Sequence, residues 1–248
     1  GGAVDFRFWE YDDDYAGPEA RDEAAAAEII PGLWYVGAYH FAAYLLKTDA
    51  GPVVIDTCRS DARDFFLSQI PRAGVEPSEV VAILHTHAHS DHIGNTARLV
   101  ELSGAEAMIG AGDAVWLAEH TPVKRMFCPG EVVQLGSTQL QFFSTPGHTI
   151  GCGMYLSDLG GTRVCFMGDA CGPFIFQEVR WRGDADAFRA SAARMKAVAA
   201  DIYLPGHPHQ IREVSPSGDP RLTRDQWRRY IDRRVAIMEE FTADSDER

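Results

Sequence analysis

Four residues in a stretch of six, His87, His89, Asp91 and His92, offer the plainest chemistry in this chain. Neutral imidazole nitrogen and carboxylate oxygen are the ligands a zinc-like divalent ion takes, and three protein ligands with one open position make a catalytic site. Four candidates so close together are too many for one such site but suit two adjacent ones. One ion would take His87 and His89, the other Asp91 and His92. A solvated loop with histidines paired to carboxylates is the ordinary alternative; it suits a lone histidine better than this cluster. His85 precedes the spacing and reads as a supporting or structural residue.

The run Val80-Val81-Ala82-Ile83-Leu84 before the cluster predicts a buried strand opening at its C-terminal end into the histidine loop. Apolar positions at 97–102 then recur at helical spacing, so the histidines sit on a strand-to-helix turn. Further strands are expected at 34–39, 42–47, 53–56 and 105–109, with helices at 61–70 (stopped by Pro71), 96–103 and 113–119. The second half repeats the alternation, with a hairpin at 132–135 and 139–144, strands at 154–157, 163–167 and 202–204, and a helix at 186–199 with Phe188, Met195 and Val198 on its apolar side. A last helix begins at Thr223, which forms a capping box with Gln226, and buries Trp227, Ile231, Val235 and Met238. Strands alternating with helices give an α/β layered fold, two α/β halves in a single domain over 29–248. Residues 1–28 read as an acidic arm whose aromatics, Phe6, Phe8, Trp9, Tyr11 and Tyr15, could fold over a site mouth.

With 248 residues the chain can bury a large core, and no apolar stretch approaches the ~20 residues that span a bilayer. The reading is a soluble protein without a membrane partner, cytoplasmic or exported with its signal removed. The start Gly1-Gly2-Ala3 looks like a processing or tag scar. A formal charge of −13, with lysine only at Lys47, Lys124 and Lys196, makes a surface that repels phosphate backbones, so no nucleic-acid partner is expected. Five cysteines form no Cys-x-x-Cys pair, and Cys152, Cys165 and Cys171 read as structural thiols. Oligomeric state is not legible.

Three later strand ends each offer one more ligand. Thr145-Pro146-Gly147-His148, Met167-Gly168-Asp169 and Leu204-Pro205-Gly206-His207 place His148, Asp169 and His207 where strands on one sheet edge converge. His148 completes a three-histidine site with His87 and His89. His207 completes a second with Asp91 and His92, and Asp169, with two oxygens, could bridge them. Each preceding glycine also has the bland role of a turn former. His40, His120 and His209 have no such context, although His40 lies in a turn that could border the cleft.

Taken together, these residues resemble the metallo-β-lactamase-fold superfamily. Its pattern of His-x-His-x-Asp-His, then a His, an Asp and a His at successive strand ends, is matched at His87, His89, Asp91, His92, His148, Asp169 and His207. The resemblance covers about residues 30–210 and implies an αβ/βα four-layer sandwich with two zinc ions in the cleft between the layers. Within the superfamily, Gly32-Leu33-Trp34-Tyr35-Val36-Gly37, Tyr44-Leu45-Leu46-Lys47-Thr48, Val54-Ile55-Asp56-Thr57 and the 188–207 segment are most similar to the third subclass of metallo-β-lactamases. That subclass has serines after the fourth ligand strand, where this chain has Ala170-Cys171-Gly172; an aspartate offered as a bridge is the habit of lactonase, thioesterase and glyoxalase-type relatives.

The implied function is dinuclear zinc-dependent hydrolysis of a small-molecule acyl substrate, a β-lactam or related cyclic amide. A water held between the ions, its pKa lowered toward ~7, would be the nucleophile, and Asp91 would orient it and shuttle its proton. The alternatives are a lactonase or thioesterase of the same fold and, behind them, an iron-dependent oxidoreductase. Specificity is expected in loops over the cleft at 37–42, 120–130 and 171–183, where Phe174 and Trp181 could present an apolar wall.

Overall fold

Short apolar runs punctuated by glycine and proline turns condense into two sheets, as seen in a computed structural model that describes residues 26–38, 40–172, 183–217 and 219–246. The expected arm aromatics, Phe174 and Trp181 lie outside the described residues. The first sheet holds seven strands in chain order: β1 (Ala27–Ile30), β2 (Leu33–Tyr35), β3 (Tyr44–Thr48), β4 (Gly51–Ile55), β5 (Ala82–His85), β6 (Glu106–Gly110) and β7 (Val123–Phe127). β1 to β4 pair antiparallel, and β4 to β7 pair parallel. The second sheet runs β12 (Ile202–Pro205), β11 (Thr162–Gly168), β10 (Gly153–Leu159), β9 (Thr138–Ser144), β8 (Val132–Leu135), parallel only between β11 and β12.

Alternation along these strands decides which layer each side chain joins. Tyr44, Leu46, Val53, Ile55 and Leu84 meet Tyr155, Val164, Phe166 and Leu204 in the core between the sheets. Leu45, Val54 and Ile83, one residue out of phase, pack outward with Phe66 of α1 (Arg63–Gln69) and Leu99 of α3 (Thr96–Ser103); α2 (Ser90–Ile93) and α4 (Ala114–Leu117) are shorter. On the second sheet, Met154, Cys165, Met167 and Tyr203 lie under α5 (Ala185–Met195) and α6 (Arg224–Asp246), with Phe188, Met195, Trp227, Ile231 and Met238 closing that layer. The result is the expected α/β single domain of four layers. At the start of α6 the Thr223 N–H donates to Gln226 Oε1 at 2.8 Å and the Gln226 N–H to Thr223 Oγ1 at 3.3 Å, the predicted capping box.

Several boundaries differ from expectation for local reasons. Residues 120–130 are not a cleft loop: 123–127 form the edge strand β7, whose alternation is masked by adjacent Lys124 and Arg125, with Lys124 Nζ 3.1 Å from Glu106. β1 takes in Ala27 and Glu28, which composition alone assigned to the arm. The α-helix stops at Gln69, just before Pro71 as expected, but Pro71 does not end the helical path. It lies in the first turn of a 3₁₀ continuation, Ile70–Ala73, where its missing N–H is no loss, and Gly74 at φ 70° terminates it. The helix expected at 113–119 shrinks to α4 behind a 3₁₀ turn, and the one at 186–199 closes at Met195. Among the described residues no helix is long and apolar enough to cross a membrane.

Candidate metal centre

The site grows from the ends of β4 and β5. Asp56, just past β4, takes a left-handed conformation at φ 57°, which a short polar side chain tolerates. Its buried carboxylate accepts the Thr86 N–H at 2.9 Å, the Thr86 hydroxyl at 2.7 Å and His92 Nδ1–H at 2.9 Å. These bonds fix the first residue after β5 and leave Nε2 of His92 for the cleft. His85 stays below the site, its Nε2 3.0 Å from the Thr96 hydroxyl and its Nδ1 3.6 Å from Asp56, which is the supporting place expected for it. The loop then makes one turn of helix, α2, carrying Asp91 and His92 where sequence alone suggested irregular chain.

A second buried carboxylate, Asp113, ties the first histidine loop to the one carrying His148. It accepts the Ala88 N–H at 2.9 Å, the Thr149 hydroxyl at 2.8 Å and the Gly151 N–H at 2.7 Å. Burial pushes its pKa up to about 6 against the pull of those three donors. Because the folded value lies above the unfolded one, stability from this group is highest below pH ~4, falls as pH rises from about 4 to about 6, and is flat beyond. Chemical denaturation of wild type and Asp113→Asn across that window should therefore show wild type losing on the order of 3 kcal/mol that the variant does not lose. Parallel curves would refute the assignment.

All seven predicted residues converge. His87, His89 and His148 form one group whose ligand atoms lie within 4.8 Å of one another; Asp91, His92 and His207 form another, and His87, His92 and Asp169 a third between them. His148 Nε2 is 2.9 Å from His89 Nδ1, and His92 Nε2 is 3.3 Å from His207 Nε2. Two nitrogens at zinc-bond length around a tetrahedral ion sit about 3.3 Å apart, so these spacings suit the ion. Asp169 faces both sides: Oδ1 is 3.5 Å from His92 Nε2, while Oδ2 is 3.1 Å from His207 Nε2 and 3.6 Å from His148 Nε2.

The electrostatics fit the same cation. Burial and neighbouring imidazoles hold His87 and His89 well below the usual histidine range, hence neutral, and the buried Nε2 of His87 has no hydrogen-bond partner among the described residues. Burial raises the Asp91 and Asp169 carboxyls, but His92 and His207 beside them win and keep both ionised. Conversely, burial lowers His92 and His207, and the carboxylates overcome it, lifting His207 to about 10. Two buried carboxylates, Asp56 and Asp169, and the partly buried Asp91 thus demand positive charge. Protons on His92 and His207 meet that demand, and a divalent cation meets it by displacing them.

The glycines before the late ligands do more than turn the chain. Gly168, at φ 48°, lies against the Thr86 side chain, so any Cβ there would push the two sheets apart. A Cβ at Gly206 would press on the Asp169 carboxylate and lie 2.9 Å from His92 Cε1. Gly206→Ala should therefore keep the far-ultraviolet circular dichroism of wild type but weaken metal retention by ~10-fold or more; unchanged retention would show that Asp169 can move aside at no loss. Sequence reading missed Asp56 and Asp113. Asp56 carried one signal, a charge ending the apolar run Val53-Val54-Ile55, whereas Asp113 carried none. His120 is exposed, and His40 and His209 meet at the edge of the site, their Nδ1 atoms 3.3 Å apart.

The metallo-beta-lactamase superfamily model matches residues 41–207, two thirds of the chain and every one of the seven candidate ligands. The chain belongs to that superfamily. Human metallo-beta-lactamase domain-containing protein 1 is 30% identical over 217 residues, covering 82% of this chain and 74% of that protein. A hydroxyacylglutathione hydrolase of Polaromonas sp. is 28% identical over 186 residues, covering 73% of this chain and 67% of that enzyme. A subclass B3 metallo-beta-lactamase of Bradyrhizobium japonicum superposes with a TM-score of 0.82 at 24% identity, covering 90% of this chain and 96% of that one, a likeness of fold. As a member of the metallo-beta-lactamase superfamily, the protein is a metal-dependent hydrolase with a β-lactamase-like fold.

Proposed function

We propose that the protein is a dinuclear zinc hydrolase of a small-molecule acyl compound, with His87, His89 and His148 holding one ion, Asp91, His92 and His207 the other, and Asp169 between them. The observation that carries this reading is the position of Asp169, whose two oxygens face both ligand groups. Zinc, when bound, supplies Lewis acidity toward a carbonyl oxygen and brings water toward a pKa of about 7. Asp91, the least buried of the seven, has Oδ2 3.3 Å from His207 Nε2 and an edge open to the cleft. It orients the attacking water, accepts its proton at a carboxylate oxygen and returns it to the leaving atom.

Two observations favour a lactone, ester or thioester over a β-lactam. Ala170 and Cys171 are fully buried and offer no hydroxyl to hold a substrate carboxylate, the Cys171 sulfur packing 4.0 Å from Met195 Sδ. An aspartate that would sit between two ions is, by the family resemblance, the habit of lactonase and thioesterase relatives, and a hydroxyacylglutathione hydrolase is among the matching proteins. The β-lactam reading rests on the stretches similar to the third subclass. Turnover of a chromogenic cephalosporin, an aliphatic lactone and an acyl thioester by zinc-loaded protein, with and without chelator, separates the readings. Chelator-sensitive cleavage of the lactone or thioester alone is expected; cephalosporin turnover at comparable rates would reverse the preference, and chelator-insensitive turnover would end the zinc reading.

A further inference from the structure

The turn between β2 and β3 and the segment after β12 are joined by a series of bonds that the catalytic reading does not use. The Ala42 N–H donates to the Gly206 carbonyl at 2.8 Å, and the Tyr44 hydroxyl donates to the Pro205 carbonyl at 2.6 Å. His207 Nδ1–H donates to the backbone carbonyl of His40. The imidazole of His40 then meets that of His209, with Nδ1 atoms 3.3 Å apart and ring centroids 4.6 Å apart, and the His209 ring in turn lies 5.5 Å from that of His207. On the other flank the Phe41 ring stands edge-on to His207 at 6.1 Å, and the Cys58 thiol donates to the Phe41 carbonyl at 3.3 Å.

We infer that the His40–His209 pair is a positioning device for the second ion: by clasping the two segments it keeps the His40 carbonyl on Nδ1 of His207, which fixes the ring and tautomer that present Nε2 to Asp91, His92 and Asp169. The inference rests on the two-ion reading above. His207 differs in this from His92, whose Nδ1–H is held by a carboxylate with two further donors locking it. The His40 carbonyl lies instead in a short turn that the Ala42 N–H ties to Gly206, and the imidazole pair adds a side-chain tie on the far side of His207. The ring contacts of the pair run to Phe41 and His207, on the side of the second ligand group, so the effect is expected at that ion.

The test is a zinc titration against a chromophoric chelator, resolving two affinities, for wild type, His40→Ala, His209→Ala and His40→Asn, with thermal unfolding recorded alongside and His120→Ala as control. Wild type should hold two ions. Both alanine variants should hold the first with wild-type affinity and the second about 10–100-fold more weakly, the range typical of groups that orient a ligand histidine. His40→Asn, which keeps a donor toward His209, should recover part of the loss. Unchanged second-ion affinity in both alanine variants would overturn the role of the pair, as would equal weakening of both ions with a lowered Tm, which marks general loosening. Fewer than two ions in wild type would instead overturn the two-ion reading, and the inference with it.

Discussion

His148→Ala is expected to abolish turnover and to empty one side of the site together. The substitution leaves His87 and His89 as a two-ligand remnant. It also removes the nitrogen that stands 2.9 Å from His89 Nδ1 and 3.6 Å from Asp169 Oδ2. Lewis-acid assistance is worth several kcal/mol, and each 1.36 kcal/mol is tenfold in rate, so the loss should be on the order of a thousandfold or more. Metal content by mass spectrometry should drop by one ion per chain while the fold is kept, because His148 lies in the loop between β9 and β10 and pairs in neither sheet. Chelator-treated wild type should show the same residual rate. A variant with wild-type metal content and near wild-type rate would remove His148 from the first ligand group.

The largest loss of stability is expected at Asp56. Alanine there removes one of the three carboxylates around the buried His92, the one that takes its Nδ1–H, and leaves the Thr86 N–H without an acceptor. Breaking a buried charged pair from one side costs about 3–5 kcal/mol. For a domain of this size that lowers Tm by on the order of 10 °C. The pH dependence has the opposite sign to that of Asp113. Burial raises the Asp56 carboxyl, but His92 and His85 beside it hold it below the usual value. Its contribution is therefore complete above the unfolded pKa near 4 and is lost as pH falls through the lower folded value. The deficit of Asp56→Ala should be widest above pH ~4 and narrow in acid. A variant as stable as wild type at neutral pH would show that His92 finds another partner.

What the sequence disclosed and what it withheld divide along physical lines. Ligands in one short run, or at strand ends announced by glycine, were legible because spacing and residue type alone define them. The α/β layering was legible too, from strands alternating with helices, whereas the four-layer order came only with the family resemblance. Asp56 and Asp113 were not, because a carboxylate becomes a support only through donors that lie 25 to 38 residues away in the chain. β7 was hidden by its charged edge, and the role of His40 by the fact that the working atom is a carbonyl, which every residue has.

Each sheet is built from one uninterrupted stretch of chain, 27–127 for the first and 132–205 for the second. The ligands are not so divided. Four come from loops of the first sheet and three from loops of the second, so the binding site exists only when the two halves have docked. An ion held there is a fastener between them, and by mass action it favours the docked protein over every state in which the halves are apart, by about 4 kcal/mol at a thousand times its Kd. Metal supply would then govern how long the protein survives as well as how fast it works.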